Sequence, residues 1–156
     1  MKKFAIYDTT LGQFIIEYDG EIVLTLQRIE KSKTNLLEGN KNNFTDLVFK
    51  QLEEYFAGER KIFDFIYKPE GTEFQMKVWK ALTEIPYGET CSYLDIAVKI
   101  GNPKASRAVG GANNKNPLMI VIPCHRVVGK RGNLIGYAGG LEMKQRLLKI
   151  EEANKL

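Results

Sequence analysis

Ser92-Tyr93-Leu94-Asp95-Ile96-Ala97-Val98-Lys99-Ile100, then Gly101-Asn102-Pro103, then Lys104-Ala105-Ser106-Arg107-Ala108-Val109-Gly110-Gly111-Ala112, reads as two short helices joined by a tight turn. Ser92 can cap the first, in which Leu94, Ala97 and Val98 provide the apolar positions, and Gly101-Asn102-Pro103 stops it. The second begins near Lys104 and sets Ala105, Ala108, Val109 and Ala112 along one side. This is the helix-turn-helix pattern, whose second helix enters a DNA groove, although any helical hairpin gives the same signal. What distinguishes the second helix is its smoothness, since Ala105, Ser106, Ala108, Gly110, Gly111 and Ala112 surround one long side chain, Arg107. Small residues let a backbone approach a surface closely, and a lone arginine there reaches beyond its neighbours. A tightly packed helix whose arginine pairs with a carboxylate fits the same residues.

Upstream, Thr72 can cap a helix carrying Phe74, Val78, Leu82 and Ile85, which Pro86-Tyr87-Gly88 ends. Lys68-Pro69-Glu70-Gly71 reads as a boundary, giving a lobe at 1–68 and a second domain at 72–156. The first lobe opens with strand-like alternation, placing Phe4 and Ile6 with Phe14, Ile16 and Tyr18 on one side, followed by Ile22, Leu24 and Leu26. Asp19-Gly20 is the pair a type I′ turn needs at its two central positions, so a β-meander is expected. From Phe44 the apolar spacing shifts to three and four residues through Leu47, Val48, Leu52, Tyr55 and Phe56, predicting a helix of about three turns that Gly58 ends. Ile62, Phe63 and Phe65 suggest a further short strand. No reactive constellation stands out in this lobe.

Downstream, Leu118-Met119-Ile120-Val121-Ile122 is a continuous apolar run of strand length that delivers Pro123-Cys124-His125-Arg126-Val127-Val128. The single histidine of the chain thus stands beside one of its two cysteines. A cysteine is a good nucleophile only as thiolate, and a neighbouring imidazole can take its proton directly or through one water. A buried structural cysteine and a hydrogen-bonded core histidine would produce the same pair.

At 156 residues the chain has room for one ordinary core or two small lobes, which excludes a TIM barrel or a two-domain dehydrogenase. A net charge of +4 is compatible with a polyanionic partner without demanding one. Two cysteines and one histidine are too few for a closed four-ligand zinc site, and residues 1–71 contain neither type. Met1-Lys2-Lys3-Phe4 passes directly into strand-like sequence and no run approaches the roughly 18 residues of a membrane span. A soluble cytoplasmic protein with free thiols is therefore expected, Cys91 being read as structural.

The segment Ile122-Pro123-Cys124-His125-Arg126-Val127-Val128 resembles the active-site signature of the DNA repair alkyltransferases, the methylated-DNA:protein-cysteine methyltransferases that take methyl groups from the 6-oxygen of guanine. The resemblance continues through Ser92-Tyr93, Gly101 to Ala105, Arg107 to Ala112, Asn116-Pro117, Gly136-Tyr137-Ala138-Gly139-Gly140-Leu141, Lys144, Leu147-Leu148 and Glu151. It covers residues 72–152, whereas the first lobe is similar only in length and in the order of its elements.

What this resemblance implies is an α+β protein: a small N-terminal α/β lobe with an antiparallel, RNase H-like sheet, and a mostly helical, winged helix-turn-helix-like domain carrying the active site. Cys124 would accept the alkyl group, His125 would be its water-linked base, Glu151 would orient the imidazole, and Asn116 would brace the turn. Arg107 would replace the extruded nucleotide in the base stack, and Tyr93 would crowd the 3′ phosphate, with Ser92, Asn102, Ala105 and Gly110 completing the DNA-binding surface. Tyr137 would wall the base pocket, shared with Tyr93 and Val127, while the amide of Ala138 would read the base edge. Some relatives carry serine where Ala138 stands, so a hydroxyl contact is missing here.

The activity implied is flipping of O6-alkylguanine, and of O4-alkylthymine, out of duplex DNA, with irreversible transfer of the alkyl group to Cys124. No residue is suited to cleaving the thioether product, so the reaction is expected to occur once per molecule. The same resemblance implies no cofactor, and double-stranded DNA bearing alkylated bases as the partner, gripped through its minor groove. A monomer is expected, and no metal, since some relatives carry a zinc in the first lobe but residues 1–71 here contain no Cys and no His. Two other readings stay open. One is a cysteine hydrolase or acyl-transfer enzyme using Cys124, His125 and Glu151, though no recognised oxyanion-hole motif accompanies the cysteine. The other is a DNA-binding module that marks lesions without repairing them.

Overall fold

Three antiparallel strands, β1 (Lys3–Thr9), β2 (Gly12–Asp19) and β3 (Ile22–Ile29), open the chain, whose computed structural model describes residues 1–30, 39–129 and 140–156. Cross-strand partners share a face of a sheet. Ala5 pairs with Ile16, Tyr7 with Phe14, Ile16 with Leu26 and Tyr18 with Val23, so these residues make the core face. Phe4 pairs with Glu17 and Ile6 with Ile15, which puts Phe4 and Ile6 on the opposite face from Phe14, Ile16 and Tyr18 and corrects the grouping expected from alternation. The expected alternation of Ile22, Leu24 and Leu26 also fails. Glu17 faces Thr25 while Tyr18 faces Val23, and the extra residue, Leu24, forms a β-bulge that moves Val23 into the core.

The hairpin turn differs as well. Asp19 pairs with Ile22, so its loop is Gly20-Glu21, with positive φ (+59°) at Gly20 alone; this is the II′ pattern rather than the I′ turn read from Asp19-Gly20. Helix α1 (Asn43–Phe56) is capped reciprocally by Asn42 and Thr45 and lies on the core face, with Phe49 stacked on Tyr7 at 4.0 Å between ring centroids. Phe56 meets Phe14 and Phe44 meets Tyr18 with the rings tilted, each pair at 6.0 Å between centroids. Truncating a fully buried aromatic such as Phe14 would cost about 3–5 kcal/mol. The fourth strand is β4 (Ile66–Tyr67), parallel to β3 at the sheet's edge, and the aromatics assigned to a strand at 62–65 instead pack in succession, Tyr55 on Phe63 and Phe63 on Phe65.

Met1–Pro69 and Glu70–Leu156 form two compact units. The second begins with α2 (Glu73–Thr83), capped by Thr72 and Gln75, and continues through β5 (Cys91–Ser92), α3 (Tyr93–Lys99), α4 (Ser106–Asn114), β6 (Val127–Val128) and α5 (Leu141–Asn154). Trp79 of α2 is buried and donates its indole N–H to the carbonyl of Ala112 at 2.9 Å, fixing α4 against α2. In α3 the buried positions are Ile96 and Ala97, while Leu94 and Val98 are exposed; in α4 Val109, Ala112 and Asn113 are buried and Ala108 is not. A helix of seven residues has room for only one buried edge, and that edge lies one position away from the one expected.

Leu118–Ile122 is buried throughout but is not a strand. Ile120 has φ +75°, and Ile122 N–H bonds back to Leu118 O at 2.9 Å, so the run folds into a turn. A continuous apolar run reports burial on all sides and does not by itself distinguish strand from coil.

Candidate active site

Cys124, His125 and Arg126 form a single 3₁₀ turn that opens at Pro123 and feeds into β6. All three are buried. Asn116 is the brace of this turn. Its Nδ2 donates to Ile122 O at 2.7 Å and to the sulfur of Cys124 at 3.1 Å, while its Oδ1 accepts from Leu118 N–H at 2.9 Å. The carbonyl of Cys124 accepts from Val127 N–H and, at 3.4 Å, from Asn113 Nδ2. An N–H that donates to a sulfur makes a stronger hydrogen bond when the sulfur carries charge.

The imidazole and Glu151 meet across the unit. His125 Nε2 lies 2.7 Å from Glu151 Oε2, with both side chains buried. Glu151 also accepts from Arg126 Nε at 2.8 Å, Arg126 Nη2 at 3.0 Å and the backbone N–H of Gly88 at 3.1 Å. Gly88 has φ +81°, and a Cβ there would fall 2.5 Å from Lys155 Cβ, so glycine is required for this donor to reach the carboxylate. Burial alone would raise the Glu151 pKa, yet the bonds and charges of His125 and Arg126 together hold it well below the usual carboxylate range. Burial is also the largest influence on His125 and lowers its pKa, against the pull of Glu151 and with the help of Arg126 and Lys144. The resting pair is therefore an anionic Glu151 and a neutral imidazole. With Nε2–H given to the carboxylate, Nδ1 is the acceptor nitrogen of that tautomer.

Two short strands bring Tyr93 to this centre. Cys91 pairs with Val127 and Ser92 with Val128 in a parallel ladder, so the start of α3 lies beside the exit of the Cys124 turn. Burial and then the charge of Cys124 raise the Tyr93 pKa. Lys144 of α5 is fully buried; burial lowers its pKa and the Cys124 charge acts in the opposite direction, so the amine lies within the sulfur's field. Neither Lys144 nor Arg126 was given a role from sequence. The nearest signal was their presence within the matching segments, because polarity alone gives no hint that a lysine or arginine is interior. Cys91 is held away from reactivity, its thiol pushed up to about 11 by burial and by Asp95.

On α4, Arg107 is exposed, Gly110 lies against the Tyr93 ring at ordinary contact distance (a Cβ there would be 3.8 Å from Tyr93 Cε1), and Gly111 faces open space. The helix has no side-chain cap at Ala105. Asn102 is exposed and its carbonyl accepts from Ala105 N–H, while Ser92 is engaged in capping α3, accepting from Asp95 N–H at 3.0 Å. Tyr137 and Ala138 lie outside the described residues. Among the described residues no cluster of His, Cys, Asp and Glu could hold a metal ion.

Residues 73–153 match the family model described as 6-O-methylguanine DNA methyltransferase, DNA binding domain, and residues 2–67 match the one for its ribonuclease-like domain. The methylated-DNA–protein-cysteine methyltransferase of Methanosarcina acetivorans is 50% identical over 151 residues, covering 95% of this chain and 97% of the relative. The constitutive enzyme of that name from Bacillus subtilis is 44% identical, covering 97% and 96%. Among solved structures, Mycobacterium tuberculosis OGT in complex with DNA superposes with a TM-score of 0.88 at 43% identity, over 97% of this chain and 93% of that one. Both units are matched along nearly their whole length, and the chain belongs to the 6-O-methylguanine DNA methyltransferase family.

Proposed function

We propose that the protein repairs DNA by moving the alkyl group of an O6-alkylguanine to the sulfur of Cys124, with O4-alkylthymine as a further substrate. The observation that carries this reading is the arrangement at Cys124: a buried sulfur at 3.1 Å from a donating amide, next to a neutral imidazole that is itself bonded to a buried carboxylate.

The thiol proton passes to Nδ1 of His125, through one water, and the thiolate attacks the alkyl carbon in line with the departing oxygen. A carbon–sulfur bond forms as the carbon–oxygen bond breaks, its electron pair leaving on the guanine oxygen, and the base recovers a proton. Imidazolium formed in this step is stabilised by Glu151 at 2.7 Å. The product thioether is not cleaved by any group at the centre, so one molecule removes one alkyl group.

A stacked base cannot present its alkyl carbon to a buried sulfur, so the nucleotide rotates out of the duplex at a cost of a few kcal/mol. Arg107, exposed on the smooth face of α4, fills the gap it leaves. The amide of Ser106 in the first turn, which has no side-chain cap at Ala105, meets phosphate oxygens together with Asn102 and Ser92. Gly110 and Gly111 allow the close approach that a minor groove requires. Tyr93 and Val127 line the receiving pocket, with Tyr137 and Ala138 on the segment beyond. We read the protein as a cytoplasmic monomer; no helix among the described residues is long and apolar enough to cross a membrane.

Incubation with excess duplex bearing O6-methylguanine tests this. Repaired base should accumulate to one equivalent per protein and stop. Continued turnover, or no loss of the methylated base, would refute it.

A further inference from the structure

Arg126 is a buried charged side chain at this centre that the transfer leaves unused. It is 8% exposed, and its guanidinium is engaged on every side. Nε and Nη2 take the two oxygens of Glu151, Nη1 donates to Ile85 O at 2.7 Å, and its central carbon lies 5.6 Å from the centroid of the Tyr87 ring. The fork-to-fork contact with the carboxylate fixes both its position and its plane, which a single hydrogen bond from His125 would not do.

A carboxylate that orients an imidazole has two ways to fail. It can rotate out of line, or it can bind the imidazole's extra proton so well that the resting histidine is already charged and no longer a base. Arg126 acts against both. Its two bonds oppose rotation, and its positive charge next to His125 opposes protonation of the ring. We propose that Arg126 is a positioning residue for the alkyl transfer, locking Glu151 in line with His125 and keeping the resting imidazole able to take the proton of Cys124. This rests on the transfer reading given above.

Among the described residues, charged groups that act on His125 include Glu151 and Lys144 on α5 and Arg126 on its own turn. Burial lowers the ring's pKa most, Glu151 raises it, and Arg126 and Lys144 lower it. Removing only the Arg126 charge takes away one of the influences that lower the ring's pKa and so raises it, while a lysine at 126 retains charge but loses the fork.

Because the chain holds a single histidine, one imidazole resonance follows His125 through a pH titration without assignment. The test is that titration by NMR, with single-turnover transfer from methylated duplex across the same pH range, on the wild type, Arg126→Lys and Arg126→Gln. In Arg126→Gln the imidazole midpoint should rise by about half a pH unit or more, and the acid limb of the rate should rise with it. Arg126→Lys should keep the wild-type midpoint and lose about tenfold in rate at the plateau. An unmoved or lowered midpoint in folded Arg126→Gln overturns the proposal, as does a wild-type plateau or a shifted midpoint in Arg126→Lys. Amide dispersion reports folding, and if Arg126→Gln does not fold, Arg126→Lys decides alone by the same criteria. Failure of the wild type to transfer methyl would instead refute the transfer reading, leaving the titrations still to be compared.

Discussion

Asn116 Nδ2 lies 3.1 Å from the sulfur of Cys124, and the same amide group holds the carbonyl of Ile122 at 2.7 Å and the N–H of Leu118 at 2.9 Å. One side chain thus shapes the turn and touches the nucleophile. Replacing Asn116 with Ala leaves the buried N–H of Leu118 without this partner and removes one of the two donors to the carbonyl of Ile122, which keeps the Cys124 N–H, at a cost of about 1–3 kcal/mol in denaturant unfolding. The single-turnover rate should fall by about tenfold or more, because the sulfur loses both its donor and its fixed position. Unfolding and transfer measured side by side check both; unchanged transfer would remove Asn116 from the site.

His125 makes stability depend on pH in a defined direction. Burial holds its folded pKa below the unfolded value near 6.5, so between these two values the unfolded chain binds more protons. Stability therefore falls as the pH is lowered through 6.5 toward the folded value, at no more than about 1.4 kcal/mol per pH unit. Glu151, held low, adds its loss further down, beginning as the pH falls through the ordinary carboxylate value of about 4.3 and continuing below it. His125→Gln should flatten the slope between pH 7 and pH 5, as read by urea midpoints; a slope that persists assigns it to other groups.

Gly110 and Gly111 separate folding from function. A methyl at Gly110 would sit 3.8 Å from the Tyr93 ring and one at Gly111 would meet nothing within 4 Å, so both alanine variants fit. Each should raise stability by about 0.5–1 kcal/mol, since alanine favours a helix over glycine. Binding to duplex should weaken if these glycines serve close approach to DNA, and fluorescence anisotropy measures it. Equal or tighter binding would show that the smooth face is only a packing feature.

Arg107→Ala should lower repair of duplex by about tenfold or more while sparing reaction with free O6-alkylguanine base, because only the duplex must be unstacked. Parallel rates on the two substrates decide it. Equal losses on both would count against a role in base extrusion.

The chemical centre was largely legible in the sequence because Asn116, Cys124 and His125 lie within ten residues and Glu151 follows at the spacing of the resembling family. The caps were legible too, Thr72 and Ser92 each starting the helix read from it. Periodicity failed where tertiary contacts set the phase. The bulge at Leu24 reversed the faces of β3, and the apolar run 118–122 became a turn because Asn116 captures Leu118 N–H and Ile120 adopts a left-handed backbone. Arg126 and Lys144 escaped for a related reason: a buried cation depends on the carboxylate or thiolate that the fold brings to it, and neither partner is adjacent in the chain to Lys144.

The most direct test of alkyl transfer is the mass of the two cysteine peptides after reaction with a stoichiometric amount of duplex carrying O6-methylguanine. Cys91, with its thiol pushed up to about 11, should remain unmodified, and the Cys124 peptide should gain one methyl group in proportion to the lesion removed. An unmodified Cys124, or methyl found on Cys91, would contradict the account.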